Sequence, residues 1–224
     1  APTVIEIERI DELQREVFGP LLHVLRYARD ELPEVLEAVN ATGYGLTQGA
    51  HTRIDETVAQ VLAASRAGNV YVNRNVVGAV VGVQPFGGEG LSGTGPKAGG
   101  PLYLLRLLAE RPVQAARLAV ARAGPASLPP VRGPGVAGGE ATGPVAAGGG
   151  EALDALRAWA VAQGRALLAA HCDRAAAESP VGIWHALPGP TGEAIIYAVL
   201  PREAMLCLAP ESASGNADRL AQLA

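Results

Sequence analysis

Two periodicities alternate along the first hundred residues, and together they predict an α/β protein. Leu21 to Tyr27 is a short apolar run after the turn-like Gly19-Pro20, suited to a buried strand. A helix is predicted next, capped by Asp30 and with Pro33 tolerated in its first turn. Leu32, Val35, Leu36 and Val39 repeat at helical spacing and put one apolar stripe on the core side. Gly43-Tyr44-Gly45 breaks the chain before a second helix from Ile54 to about Ala67, where Val58, Val61 and Leu62 share a face and Gly68 supplies the stop. Asn69 to Asn73 reads as a strand through Val70, Tyr71 and Val72, and it leads into a glycine-rich passage from Gly78 to Gly100.

Beyond Pro112 the pattern fades. From Pro112 to Gly150 the chain is mostly Ala, Gly and Pro with few large apolar side chains, which predicts a linker unable to bury enough surface to offset its ordering entropy. Glu151 to Cys172 then looks like one helix, with Leu153, Leu156, Ala160 and Leu167 on one side. Strands are predicted at Ile195 to Leu200 and Met205 to Ala209, the first after a turn at Pro188 to Gly192, and Ser212 to Ala224 begins another helix. Trp159 and Trp184 are expected as core anchors of this distal module.

Composition narrows the function classes. The balance of 18 Lys+Arg against 22 Asp+Glu offers no basic block to neutralise phosphates, so nucleic-acid binding is not expected. Cys172 and Cys207 lie far apart without metal-type spacing, which suits a reducing compartment and gives cytosol as the expected location, with each thiol a small buried hydrophobe. No run of eighteen apolar residues occurs, and the start at Ala1-Pro2-Thr3 suggests a soluble chain cut from something longer. His23, His51, His171 and His185 have no paired spacing and are expected in structural or surface roles.

Gly88-Glu89-Gly90-Leu91-Ser92-Gly93 matches the dinucleotide pattern G-x-G-x-x-G, but neither a strand before it nor a helix after it is predicted, so phosphate binding there is not expected. In Glu16-Val17-Phe18-Gly19-Pro20 a carboxylate and an aromatic ring lie two residues apart, on one side of an extended segment. Such a pair can accept hydrogen bonds from a sugar diol while stacking on a flat ring; the plainer reading has Glu16 solvated and Phe18 in the core. Phe86, between Pro85 and Gly87, can form a fixed wall of a pocket, and the amides of Gly78-Ala79 can face a carboxylate. Taken singly, both features are also ordinary turn and packing elements. Lys97, within Gly95-Pro96-Lys97, can touch an anion, but a solvated loop lysine is the expected reading.

In order, Glu16 to Pro20, Asn40 through Gly43-Tyr44-Gly45-Leu46, Gly68 to Asn73, Pro85-Phe86-Gly87-Gly88 and Ser92-Gly93 resemble the late catalytic-domain motifs of aldehyde dehydrogenases. Gly78 to Gly88, continued by Ser92 to Leu104, resembles the L-glutamate γ-semialdehyde (pyrroline-5-carboxylate) dehydrogenase branch. Leu187 to Glu193, Leu200-Pro201-Arg202 and Leu206-Cys207-Leu208 are similar to the C-terminal region of the bifunctional proline utilization A proteins, which fuse a flavin-dependent proline dehydrogenase to the aldehyde dehydrogenase. The resemblance implies three parts: residues 1–111 from the C-terminal part of the dehydrogenase catalytic domain, a linker over 112–150, and a partial α/β module over 151–224.

It further implies that Glu16 binds the nicotinamide ribose of NAD, that Phe18 packs near the nicotinamide, that the Gly78 and Ala79 amides hold the substrate α-carboxylate, and that Phe86 lines the aldehyde pocket. The family's nucleophilic cysteine, general-base glutamate and oxyanion-hole asparagine precede the motif at Glu16, and the fifteen residues before Glu16 contain no cysteine. The chain alone is therefore expected to be inactive. FAD belongs to the proline dehydrogenase part of such a parent, which is expected to be a homo-oligomer, with membrane association of the parent as the alternative to a purely cytosolic one. The distal module can instead act as a lid or assembly element, and a general aldehyde dehydrogenase is the third reading.

Overall fold

In a computed structural model, the structure describes residues 1–93, 95–110, 149–181 and 184–201, together with residues 115, 118 and 119. The described chain divides into two compact units. One is built chiefly from Ala1–Val81 and Pro85–Ala98; the other contains Gly82–Gln84 and the later described residues. The predicted linker lies almost wholly outside the described residues, as do the predicted strand at Met205 to Ala209, the last helix and Cys207.

The first unit opens with strand β1 (Thr3–Ile7), which pairs in parallel with β2 (Leu21–Leu25). The thirteen-residue connection between them satisfies the length a parallel crossover needs. β2 lies where its apolar run predicts, but Leu22 is 58% exposed. The expectation of a buried strand fails because among the described residues this sheet has two strands, and much of the apolar run meets no covering layer from the described residues of the unit.

Helix α1 (Leu32–Ala41) carries Pro33 in its first turn and buries Leu36. Its cap is not Asp30. Arg29–Glu31 forms a single 3-10 turn, and the Glu31 carboxylate reaches back to accept from the Ala28 amide at 2.7 Å, which is the acidic arm of a capping arrangement.

Strand β3 (Tyr44–Gly45) and strand β4 (Thr47–Ala50) occupy the stretch where sequence periodicity shows only a break. Helix α2 (Asp55–Ala64) follows, with Asp55 and Glu56 in the first turn and Val61 buried. It ends before Gly68. The stop is shared between chain and partner: the Ser65 amide returns to the Val61 carbonyl at 2.9 Å, and Asn40, at the end of α1, donates to the Ala64 carbonyl at 2.8 Å and accepts from the Arg66 amide at 3.1 Å. Orphan groups at a helix end need such partners, and here a neighbouring helix supplies them.

Strand β5 (Asn69–Val72) lies parallel to β4, and the two-residue β6 (Glu89–Gly90) lies antiparallel to β3. Asn73 closes the far end of β5: its carboxamide accepts from the Thr52 amide and donates to the Thr52 carbonyl, both at 2.9 Å. The core of this unit is small, centred on Ile7, Leu36, Val61 and Tyr71.

In the second unit, one predicted helix is two. Helix α3 (Gly149–Ala162) stops at Gly164, and α4 (Ala166–Glu178) restarts the chain. Gly164 sits at φ +67°, where its amide donates to the Val161 carbonyl at 3.0 Å, and the Arg165 amide donates to the Ala160 carbonyl at 2.8 Å. That pair of bonds is the Schellman helix stop, which a glycine at positive φ permits. The break shifts the apolar stripe. Ala160, Ala169 and Cys172 are buried, whereas Leu167, expected on the inner face, is 82% exposed. Trp159 is a second correction: its ring faces outward with the Arg165 guanidinium 5.3 Å from its centroid, a cation–π contact rather than a core anchor. Strands β7 (Trp184–Leu187) and β8 (Ile195–Ala198) form an antiparallel pair, with the predicted turn between them closed by the Glu193 amide on the Pro190 carbonyl at 3.0 Å. No helix among the described residues is long and apolar enough to cross a membrane.

Candidate functional site

The candidate residues fall into two physical settings within the first unit. Phe86 lies in a closely bonded one. Its amide donates to the Ala98 carbonyl at 3.0 Å, and its carbonyl accepts from the Ala98 amide at 2.9 Å. The residues on either side of it are gripped by a single carboxamide: Asn69 donates to the Pro85 carbonyl at 2.9 Å and accepts from the Gly87 amide at 3.1 Å. The strand holding Asn69 is itself anchored, since the Asn69 amide donates to the Leu46 carbonyl at 3.1 Å and the Gly68 amide to the Gly45 carbonyl at 2.9 Å. Phe86 is thus half-buried with its backbone fixed on both sides.

Lys97 completes this knot and corrects the expectation of a solvated lysine. Its Nζ donates to the Gly68 carbonyl, to the Gly87 carbonyl at 3.1 Å and to Asn69 Oδ1 at 3.4 Å. Burial lowers its pKa below the ordinary value, opposed by the nearby negative charge of Glu89. The solvated loop lysine fails as an expectation because two segments distant in sequence, Gly68-Asn69 and Gly87, converge on one ammonium, whose three N–H donors match two backbone carbonyls and one carboxamide oxygen.

The glycines of the passage serve this close packing. A Cβ at Gly68 would collide with the Gly87 carbonyl, and one at Gly88 would lie 2.6 Å from the Cβ and the carbonyl oxygen of Ser92. Ser92 Oγ in turn accepts from the Gly45 amide at 3.0 Å. The six-residue G-x-G-x-x-G match therefore forms a strand end and turn, with no helix opening from it to meet a pyrophosphate.

Glu16, Phe18, Gly78 and Ala79 lie in the contrasting setting. Glu16 is exposed and has no hydrogen-bond partner among the described residues, and Phe18 is 85% exposed, so the plainer reading of Phe18 as a core residue is overturned. Gly78 has φ +155° with open space around its Cα, and the Gly78 and Ala79 amides have no acceptor among the described residues. Between Val77, 90% exposed, and Val81, 97% exposed, the Gly78 and Ala79 amides are donors open to a ligand. No hydrogen bond among the described residues joins Glu16 or Phe18 to Gly78, Ala79 or Phe86.

Sequence reasoning missed Asn69 as an individual residue and misassigned Lys97 to solvent, although both lie within stretches that carry the family resemblance. The available signal was a polar side chain lodged among glycines. Histidines form no chemical centre: His23 is half-buried, His51 and His171 are exposed, and no metal-binding cluster occurs among the described residues. Cys172 is a buried free thiol.

A profile described as "Aldehyde dehydrogenase family" matches residues 1–111. Those residues belong to the aldehyde dehydrogenase family. Over 224 residues, all of this chain and 16% of the relative, the sequence is 53% identical to the bifunctional protein PutA of Escherichia coli (strain K12). The aldehyde dehydrogenase segment is 40% identical over 110 residues to the mitochondrial delta-1-pyrroline-5-carboxylate dehydrogenase of Homo sapiens, covering 47% of this chain and 20% of that one. A solved structure of a mutant of Bradyrhizobium japonicum proline utilization A covers 46% of this chain and 11% of its own at 59% identity, with a TM-score of 0.45. The chain spans roughly one sixth to one fifth of the length of these curated relatives.

Proposed function

We propose that this chain is part of an NAD-dependent L-glutamate γ-semialdehyde dehydrogenase, which oxidises the semialdehyde to L-glutamate in a bifunctional proline-degrading parent. The observation that carries the reading is that similarity to PutA runs through the whole chain while the first half is also similar to delta-1-pyrroline-5-carboxylate dehydrogenase. Division into a dehydrogenase segment (1–111), a linker (112–150) and a partial α/β module (151–224) belongs to the same proposal, as do a cytoplasmic location, a homo-oligomeric parent and FAD in its proline dehydrogenase part.

The exposed residues fit the roles. Two adjacent amides without protein acceptors, Gly78 and Ala79, suit the α-carboxylate of an amino-acid aldehyde, because amide bonds to a carboxylate are charge-assisted. Phe86, fixed by its neighbours, forms the wall along the aldehyde chain. An unpartnered Glu16 carboxylate and an uncovered Phe18 ring suit the ribose hydroxyls and the nicotinamide face of NAD. When bound, NAD supplies the hydride acceptor. This chain orients and selects, while the nucleophilic thiolate and general base belong to the remainder of the parent.

Purified alone, the chain is expected to give no NAD reduction with glutamate semialdehyde, and measurable turnover would overturn that division of labour. The full-length parent should prefer the semialdehyde over an unsubstituted aliphatic aldehyde in kcat/KM; equal preference would sink the carboxylate anchor and leave a general aldehyde dehydrogenase.

A second reading concerns the distal module. The family profile stops at residue 111 while similarity to PutA continues, which favours a lid or assembly role for 151–224. Stable association of this chain with the missing N-terminal portion, followed by light scattering, is the expected result.

A further inference from the structure

Lys97 has no place in the site as the sequence presents it, yet it is the residue on which the Phe86 segment converges. Its ammonium bridges the end of the α2–β5 connection, through the Gly68 carbonyl, and the passage just after Phe86, through the Gly87 carbonyl. The third contact, to Asn69 Oδ1, is to the same carboxamide that holds the Pro85 carbonyl and the Gly87 amide. With the paired bonds between Phe86 and Ala98, every backbone polar group from the Pro85 carbonyl to the Gly87 carbonyl has a partner, and among the described residues those partners are Asn69, Lys97 and Ala98. Lys97 and Ala98 are adjacent, so the same short stretch delivers both the ammonium and the strand-like pairing.

We propose that Lys97 is a positioning residue for substrate recognition: by tying Gly68, Asn69 and Gly87 together it fixes the backbone on which Phe86 stands as a pocket wall. It touches neither substrate nor NAD in this role, and it rests on the assignment of Phe86 to the aldehyde pocket given above. An ammonium is suited to the task because it offers three donors to three acceptors without the bulk of a guanidinium fork. An aliphatic side chain of similar length would take the ammonium donor from the half-buried Gly68 and Gly87 carbonyls and leave Asn69 Oδ1 with the Gly87 amide as its donor. The loop would then adjust to reach water, carrying Phe86 with it. Specificity depends on such walls being held closely, since small displacements weaken recognition of the reacting substrate.

The test uses the full-length parent carrying Lys97→Met, with Lys97→Gln, which retains a donor amide, as the second variant should the first not accumulate as folded protein. Hydrogen exchange is read on the peptide covering residues 84–99 and on peptides from α1 and α2. Expected is an increase of about tenfold in exchange within 84–99, of the size that follows from losing charge-assisted bonds, with little change in the helices. KM for glutamate semialdehyde should rise by a similar factor while KM for NAD stays within about twofold, since one charge-assisted contact corresponds to roughly a tenfold change in affinity. Unchanged exchange in 84–99 overturns the proposal, as does an equal rise in both KM values. Should the unmodified parent fail to oxidise the semialdehyde, the functional reading falls, and the exchange data still decide whether Lys97 holds the Phe86 segment.

Discussion

Within the aldehyde dehydrogenase segment, the Phe86 passage and the Glu16–Phe18 segment carry the same kind of chemistry-bearing residue in opposite states. Around Phe86 the backbone amides and carbonyls are paired, side chains from Asn69 and Lys97 fill the remaining valences, and the glycines are where they are because a Cβ would strike a neighbouring chain. Around Glu16 and Phe18, and again at Gly78-Ala79, a carboxylate, a ring and two amides are left without partners among the described residues. The contrast teaches that a binding site needs both conditions: groups held so firmly that they cannot adjust, and groups kept unsatisfied so that a ligand satisfies them.

The largest break in this comparison comes from Gly68→Ala. Its Cβ would meet the Gly87 carbonyl, a backbone atom that cannot rotate away, so β5 and the Phe86 passage must separate. Overpacking of this kind costs about 1–3 kcal/mol and more where backbone must move. Thermal unfolding of the full-length parent should show a lowered Tm or loss of soluble protein. A variant with unchanged Tm would mean that the two passages are not closely packed.

On the open side, stability should hardly respond and ligand binding should. Glu16→Gln in the parent is expected to raise the Kd for NAD by about tenfold, the worth of a charge-assisted bond to a hydroxyl, and Phe18→Ala by a few-fold from lost stacking of about 1 kcal/mol. Isothermal titration with NAD reads both directly. If either substitution lowered Tm as much as Gly68→Ala does and left NAD affinity intact, the contrast between the two regions would be wrong.

The smallest effect concerns pH. Burial holds the Lys97 pKa below its ordinary 10.5. Between the folded value and 10.5 the unfolded chain binds more protons than the folded one, so the contribution of this group to stability rises with pH through that interval. The penalty for burying the ammonium is present in full below the folded pKa and is relieved as pH approaches 10.5. Unfolding of the parent and of Lys97→Met by denaturant at pH 8 and pH 10 should therefore show their stability difference changing in that direction; parallel pH profiles would mean that Lys97 is solvated.

What the sequence disclosed follows from how far apart the determining residues lie. Strand β2, helix α1, helix α2 and strand β5 were legible because their apolar spacing is local, and the ordered motifs from Glu16 to Gly93 carry the family by themselves. Strand β4 was invisible in Thr47-Gln48-Gly49-Ala50, which has neither alternation nor bulk and becomes a strand only by pairing with β5. The helix stop at Gly164 was present in the sequence, yet a single glycine within an otherwise helical composition does not announce a break until its neighbours choose their partners.

By itself, then, the sequence determined which chemical groups this protein possesses: the carboxylate and ring of Glu16 and Phe18, the small Gly78-Ala79 pair, and the ring of Phe86. Tertiary structure alone decided which of them are held and which are left open. Residues 45, 68, 69, 87 and 97 meet through hydrogen bonds whose partners are separated by up to 29 positions, and no local pattern encodes such a meeting. That is why Lys97 reads as an ordinary loop lysine in sequence and becomes, once the chain has folded, the common donor to the Gly68 and Gly87 carbonyls and the Asn69 carboxamide.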